Sequence, residues 1–513
     1  MRYLPNVTTR QDSAGLSSEV KAVAIVVIVG AIMSVLDTTI VNVAIDSLSR
    51  ALHSPLSTIQ WVSTGYLLSL ATVIPLTGWA AERFGPKRVW TTAVAAFTVT
   101  SAMCGAAWSA ESLIGFRVLQ GFAGGMIMPI GMITLAQAAG PSRMGRVMSL
   151  VGVPILLAPV LGPVIGGLIV TNLSWRWIFY VNLPVGVVGL VLAARLMPAA
   201  RAEGARPGSE RLDRFGLATL APGLALIVYG LSEIASRASL DLLHEVAPLT
   251  VGALLVCAFG VHAWRHENPL VEVRLLRRPG FGAAAVTIFL VGAALFGVML
   301  LLPLYYQIDR DLSALQAGLL IAPQGLGAAV AMRLSGPLTD RSGGGPVVIA
   351  GLLILGLGTL PFTEVGADTS YWVLAAAVFV RGIGLGFTMM PAIASAYALL
   401  ERGEVPRATP MLNVLQRVGG SIGVALLAVV LEHQIRSALG GLAPSGASVH
   451  SLPTAARARL AEPIAHAFAQ TYWWALALTV VALVPAFVLL RAQRGRPEAG
   501  PEGVSERLPA PVG

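Results

Sequence analysis

The sequence predicts an all-α polytopic membrane protein, on three observations. Of the 513 residues, 55% are hydrophobic and 12% charged, and the mean hydropathy is +0.75. A soluble chain of this length needs more charge to cover its surface. Apolar runs of roughly 20 residues, the length that crosses the hydrocarbon layer, recur from one end to the other. The basic residues are divided unevenly between alternate loops, as the positive-inside rule requires. The net charge of +9 does not point to nucleic acid, because those residues are scattered over short loops rather than gathered on one face.

Fourteen spans are expected. The chain opens with a polar segment, 1–21, without the apolar stretch of a cleavable signal. An N-terminal half of six spans covers 22–197, at 22–46, 57–81, 88–108, 112–137, 144–170 and 175–197. A linker, 198–278, carries an inserted pair at 214–234 and 246–264. A C-terminal half covers 279–490, with spans at 279–304, 314–337, 346–365, 371–397, 408–432 and 471–490. Gly and Pro inside these spans are ordinary, since neighbouring helices satisfy the freed backbone groups. The Pro- and Gly-rich end, 491–513, is expected to be a disordered cytoplasmic tail. With an even count both ends share a face. Counting residues at the span ends with the adjoining loops, placing that face in the cytoplasm gives it 24 of the 35 Lys and Arg, against 7 on the other face and 4 deep within spans, Arg117, Arg333, Arg381 and Arg417. This skew predicts a multi-pass protein of the inner (plasma) membrane with both termini cytoplasmic.

The two halves repeat each other. "GWAAERFGPKR" (78–88) follows the second span and "GPLTDRSGG" (336–344) the tenth. "RVLQGFAGGMIMP" (117–129) resembles "RGIGLGFTMMP" (381–391). Such repeats are a common transporter plan, with a substrate site at the midplane between the halves.

These stretches carry a resemblance. "LDTTIVNVAI" (36–45), the loop motif at 78–88, "RVLQGFAGG", "APVLGPVIGG" (158–167), "SWRWIFYVNLPVG" (174–186), "LLPLYYQ" (301–307) and "NVLQRVGGSIG" (413–423) stand in order along nearly the whole chain. Together they resemble the fourteen-span drug:proton antiporter branch of the major facilitator superfamily. The resemblance implies a major facilitator fold and a non-enzymatic, proton-coupled antiporter of the multidrug efflux type. Its partners would be lipophilic substrates, cationic ones included, together with protons and membrane lipid. It would act as a monomer without a cofactor. A dedicated exporter of one lipid or secondary metabolite would share every motif, and a non-transporting receptor of the same fold is the remaining alternative.

Asp37 is an acid inside an oily span. Ser34, Asp37, Thr38 and Asn42 fall within about 140° on a helix, forming one polar stripe. An ionised carboxylate at the bilayer centre costs at least about 2.5 kcal/mol, so Asp37 is expected to face an internal cavity and to exchange protons. Its other open role is a hydrogen bond to a neighbouring helix. Arg117 shares a face with Gln120, Gly121, Gly124 and Met128. The family likeness assigns Arg117 to proton transfer beside Asp37; the alternative is a tie between helices. Asn413, Gln416, Arg417 and Gly420 form a comparable stripe, and Arg381 is a further buried charge; these line a substrate path or pin helices. Asn42, Tyr66, Gln120, Tyr305, Tyr306, Phe387, Asn413 and Gln416 are the expected cavity lining.

Small residues in the fifth span, Gly162 and Gly166 with Pro159, Pro163 and Gly167 beside them, allow close helix approach. They are read as a tight contact between the halves, or as ordinary packing. In the loop motif, Gly78, Glu82, Arg83, Gly85 and Arg88 stand where the family places a conformational latch, with Asp340 and Arg341 in the second copy. The chain departs from the pattern in having Glu82 for the usual aspartate and Pro86 where a base is common. Neither lysine, Lys21 or Lys87, follows the glycine of a phosphate-cradling loop, so an ATPase site is absent. The 7 histidines lie mainly in loops and are read as lacking metal-ligand spacing, so no metal site is expected. Relatives that export divalent cations carry an extra acid in the tenth span. This chain has none there and carries Arg333, so weak handling of dications is expected.

The central expectation is that Asp37→Asn abolishes export and leaves folding intact. Dye extrusion by vesicles on an imposed pH gradient measures it, and extrusion at the wild-type rate would remove Asp37 from the coupling step.

Overall fold

The computed structural model describes residues 16–198, 211–237, 245–439 and 454–494. The expected polar N-terminal segment and disordered tail therefore fall largely outside the described residues, as do 199–210 and 238–244 of the linker. Among the described residues the fold is all helical. In chain order the helices are α1 (Ser18–Leu52), α2 (Leu56–Val73), α3 (Leu76–Phe84), α4 (Pro86–Gly105), α5 (Ala110–Ala139), α6 (Met144–Asn172), α7 (Trp177–Tyr180) and α8 (Asn182–Leu196). The inserted pair is α9 (Arg214–Arg237) and α10 (Ala247–Arg265). Then come α11 (Pro279–Leu304), α12 (Ala314–Ser342), α13 (Gly344–Thr359), α14 (Tyr371–Ala398), α15 (Val405–Leu439) and α16 (Thr454–Arg494).

Local chemistry sets many of these ends. Ser17 caps α1 by accepting from the Val20 amide. Ser109 with Ser112, and Ser313 with Gln316, form reciprocal capping boxes at the starts of α5 and α12. Proline stands in the first turn of α4, α10 and α11, where its missing N–H has no cost. Gly85 (φ 85°) ends α3 and Gly343 (φ 78°) ends α12, so both copies of the loop motif turn on a left-handed glycine.

Among the described residues, eleven helices are long and apolar enough to cross a membrane, or twelve if α2 and α3 are one span bent by 57°. The count of fourteen is not reached by that measure; α4 and α6, at 20 and 29 residues, are the further long helices. Several boundaries differ from expectation: α1, α12 and α15 run past the expected ends and the sixth span is divided into α7 and α8. Pro75 breaks the second span, because proline cannot donate to the preceding turn. The eleventh span leaves α geometry at Thr359 and ends in a 3₁₀ turn, Leu360–Glu364. The last helix starts at Thr454 rather than at 471.

Packing is tight where small residues meet. α12 lies against α14, α11 against α15, α2 against α5, and α6 against both α1 and α12. The inserted α9 and α10 pair with each other, and α9 also touches α2 and α15. Large apolar side chains such as Leu254, Val484 and Leu357 remain exposed on the outside, as a lipid-facing surface requires. A Cβ on Gly382 of α14 would run into the Gln324 carbonyl of α12. Backbone cannot yield as a flexible side chain does, so Gly382→Ala is expected to destabilise by about 1–3 kcal/mol. A lowered unfolding temperature of the detergent-solubilised protein checks this.

Candidate functional site

The densest polar cluster inside the membrane-spanning helices centres on Asp37, midway along α1. Its carboxylate is fully buried. Oδ2 accepts from Arg117 Nη1 at 2.6 Å. Oδ1 accepts from Asn182 Nδ2 at 2.9 Å and Gln120 Nε2 at 3.1 Å. Arg117, on α5, also donates through Nη1 to Gln120 Oε1 (2.7 Å) and through Nε to the Val62 carbonyl of α2 (3.1 Å). Its guanidinium lies 4.0 Å from the centre of the Tyr66 ring, a cation–π contact. Asn182, the first residue of α8, donates as well to Ser101 Oγ of α4 (3.1 Å), which in turn donates to the Phe179 carbonyl. Five helices thus meet on one ion pair.

Sequence reasoning placed Asp37 on a cavity wall. The structure instead seals it: the pair is 1% and 0% exposed. The reason is compensation, since a carboxylate given a guanidinium and two amide donors can stay out of water. Tyr66 and Gln120 belong to this sealed cluster and not to a cavity lining. Tyr305 and Tyr306 are buried in a core among α11, α14 and α16, beside Phe468 and Tyr472. Phe387 is half-buried on α14, while Asn42 is exposed and accepts from Ser63 Oγ at 3.2 Å. Of the expected lining, Asn413 and Gln416 do border a cavity. It lies between α5, α6, α14 and α15, and Met128, Met132, Met148, Met389 and Met390 form much of its wall. Its volume is about 70 Å³. Drug-sized sites are roughly 300–1,000 Å³, so in this state the space is collapsed. Sequence reasoning missed Asn182 and most of the methionines. A lone asparagine opening an apolar span was the available signal.

The loop motifs form two cross-braces on one face, called here the latch face. Glu82, at the end of α3, accepts from Arg407 Nη2 (3.1 Å) and Nε (3.2 Å) at the start of α15. Arg407 Nη1 donates to Asn268 Oδ1 (3.2 Å), in the stretch after α10. Gly78 lies against the Pro406 carbonyl, where a Cβ has no room. In the second copy, Asp340 of α12 accepts from the Gly145 amide (2.7 Å) and the Arg146 amide (3.3 Å). There it caps the start of α6, where the helix dipole favours an anion. Arg83, Arg88 and Arg341 are exposed, outside both braces. Arg407, the partner of Glu82, was missed because it stands just outside the expected span.

Two further expectations need correction. Gly162 packs on Thr39 and Gly166 on Ile40, so the small-residue face of α6 meets α1 within the first six spans and not the other half. Gly167 has nothing beside it, and the side chains of Pro159 and Pro163 fall outside the described ones. His262 and His266 do have metal-ligand spacing: they stand four apart at the end of α10, with Asp213 beside them. The "HAWRH" spacing was legible in the sequence.

A family model described as Major Facilitator Superfamily matches residues 27–449. The chain is 39% identical over 487 residues to the multidrug resistance protein B homolog of Mycobacterium tuberculosis, covering 91% of this chain and 89% of that one. It is 31% identical over 407 residues to the methylenomycin A resistance protein of Streptomyces coelicolor, covering 79% and 84%. The crystal structure of the human organic anion transporter TETRAN matches with a TM-score of 0.60 at 16% identity, covering 90% of this chain and 100% of that one, a likeness of fold alone.

The sealed pair revises the expectation that Asp37→Asn folds normally. It leaves Arg117 buried without a counter-charge, which is expected to cost about 3–5 kcal/mol. Neutralising both, as Asp37→Asn with Arg117→Gln, should recover much of that loss. Thermal unfolding of the single and double variants in detergent compares them. A single variant as stable as wild type would show that the pair is not sealed in solution.

Proposed function

The chain belongs to the major facilitator superfamily, and on that premise we propose that it is a proton-coupled antiporter that exports small lipophilic compounds by alternating access. The observation that carries this reading is Asp37, a carboxylate held deep in the membrane by a counter-ion on α5. α5 also lends Met128 and Met132 to the central cavity. One helix therefore touches both the proton site and the substrate space. The multidrug and antibiotic resistance proteins to which the chain is similar support the export reading.

The proposed cycle starts from the state described above. The latch face is taken as cytoplasmic, with fourteen spans arranged as two six-helix halves and the inserted pair beside them. Glu82–Arg407 and Asp340 with the start of α6 hold that face shut. A proton reaching Asp37 from the opposite face neutralises the carboxylate. Arg117 then loses its counter-charge, while its bonds to Gln120 and the Val62 carbonyl remain. The imbalance favours the rearrangement that parts the latches and opens the cavity inward. A compound entering from the cytoplasm is exchanged for the proton, and the latches close behind it. Each charge moved across the potential contributes about 2.3 kcal/mol per 100 mV, enough to bias the cycle.

The wall predicts broad selectivity. Thioether side chains are flexible and polarisable, and each buried methylene adds only about 0.8 kcal/mol. Substrate charge is a separate matter. Arg417, next to Gln416 on α15, is not among the residues that border the cavity. Lipophilic compounds, cationic ones included, therefore stay within the proposed range. A dedicated exporter of one compound is the second reading, which the similarity to a single-antibiotic resistance protein favours. A substrate panel against a deletion strain separates the two.

Proton release on adding candidate compounds to purified, weakly buffered protein tests the coupling. Release is expected from wild type and not from folded Asp37→Asn protein. Equal release from both would move proton exchange to another group.

A further inference from the structure

The inserted pair holds a cluster that the export cycle does not use. Asp213 lies just before α9 with its side chain 3% exposed. Its Oδ1 accepts from the Gly216 amide (2.8 Å) and its Oδ2 from the Leu270 amide (3.2 Å), so the carboxylate is fixed from two sides. His262 Nε2 stands 2.9 Å from Oδ1. His266 lies one helical turn further on, its ring 4.9 Å from that of His262 and stacked at 23°. One ligand atom from each of the three residues falls within a 4.8 Å radius of the others.

We propose that Asp213, His262 and His266 form a site for a divalent transition-metal ion of the zinc class. Two imidazoles four residues apart, one in the last turn of α10 and one at its C-cap, and one carboxylate are a ligand set that zinc, cobalt and nickel accept. Ligands of a tetrahedral ion at about 2.0–2.1 Å stand about 3.3 Å from one another, so the His262–Asp213 pair needs to open by only a few tenths of an ångström. On binding, His262 offers the Nε2 lone pair to the ion, and any proton there passes to water. The two amides on Asp213 supply the second layer of bonds that holds a ligand in place. Three protein ligands leave a further position for water.

The position also implies a consequence for the latch. Leu270, which holds Asp213, is two residues from Asn268, and Asn268 accepts from Arg407 of the Glu82 brace. Glu82, Asp213, Asn268 and Arg407 border one small cavity. An ion that ties α9 to α10 therefore braces the closed latch face through residues 268–270.

The test uses full-length protein purified without a polyhistidine tag. Cobalt(II) titration reports the site through its visible absorption. One equivalent is expected in wild type, with affinity at least tenfold weaker in His266→Ala, a change at an exposed position that leaves the fold alone. Asp213→Asn should also weaken it. For the brace, zinc is expected to slow hydrogen exchange around Glu82 and residues 405–408 in wild type and not in His266→Ala. No saturable cobalt signal, or equal affinity in wild type and His266→Ala, overturns the site and reduces the cluster to a cap on α9. Zinc binding without a change in exchange overturns the brace. Each readout is independent of any export assay.

Discussion

The buried ion pair between Asp37 and Arg117 is the interaction on which the arrangement of the first six spans depends. Bringing two charges out of water is costly, and their attraction offsets that cost only when the remaining donors and acceptors are also met. Gln120, Asn182, Ser101 and the Val62 carbonyl meet them, drawing α1, α2, α4, α5 and α8 to one point. A node satisfied this fully has few alternative packings. It also makes a single proton consequential, because neutralising one member alters the balance for every helix that touches it.

The two latches complement the node from the membrane edge. They come from copies of one motif yet close differently. Glu82 meets the Arg407 guanidinium, whereas Asp340 meets two backbone amides at a helix start together with the Arg146 guanidinium (3.4 Å). Each reaches from its own copy to the other, so neither set of helices holds the face shut alone. With that face shut, Asp37 is sealed and the methionine-walled space is too small for a drug-sized molecule. All three features describe one resting state of the carrier.

Much of this was legible in the sequence because hydrophobicity and charge are local signals. Asp37 and Arg117 stood out as charges in oily spans, and Glu82 and Asp340 as acids at repeated positions. Their partners were not legible. The bonds to Asp37 come from residues 80, 83 and 145 positions away, which only folding brings together. Asn182 lies inside the expected sixth span, where a single polar residue does not stand out, and Arg407 lies one residue before the expected thirteenth. α16 began early for a related reason. Its first turns carry Arg457, Arg459 and Glu462, which interrupt an apolar window, while their alanines still favour helix. The glycines of α6 were read correctly as a close-packing face and assigned the wrong neighbour, since spacing reports size and not partner.

The α6–α1 contact has a consequence for how the carrier can evolve. Gly162 and Gly166 are filled by the Thr39 and Ile40 side chains, within one turn of Asp37. Any larger residue at either glycine pushes on the helix that carries Asp37, and so disturbs the ion-pair node. The methionine wall meets α6 near its start, at Met148, away from those glycines. Inherited variation can therefore reshape the methionine-walled space while the buried ion pair stays constant.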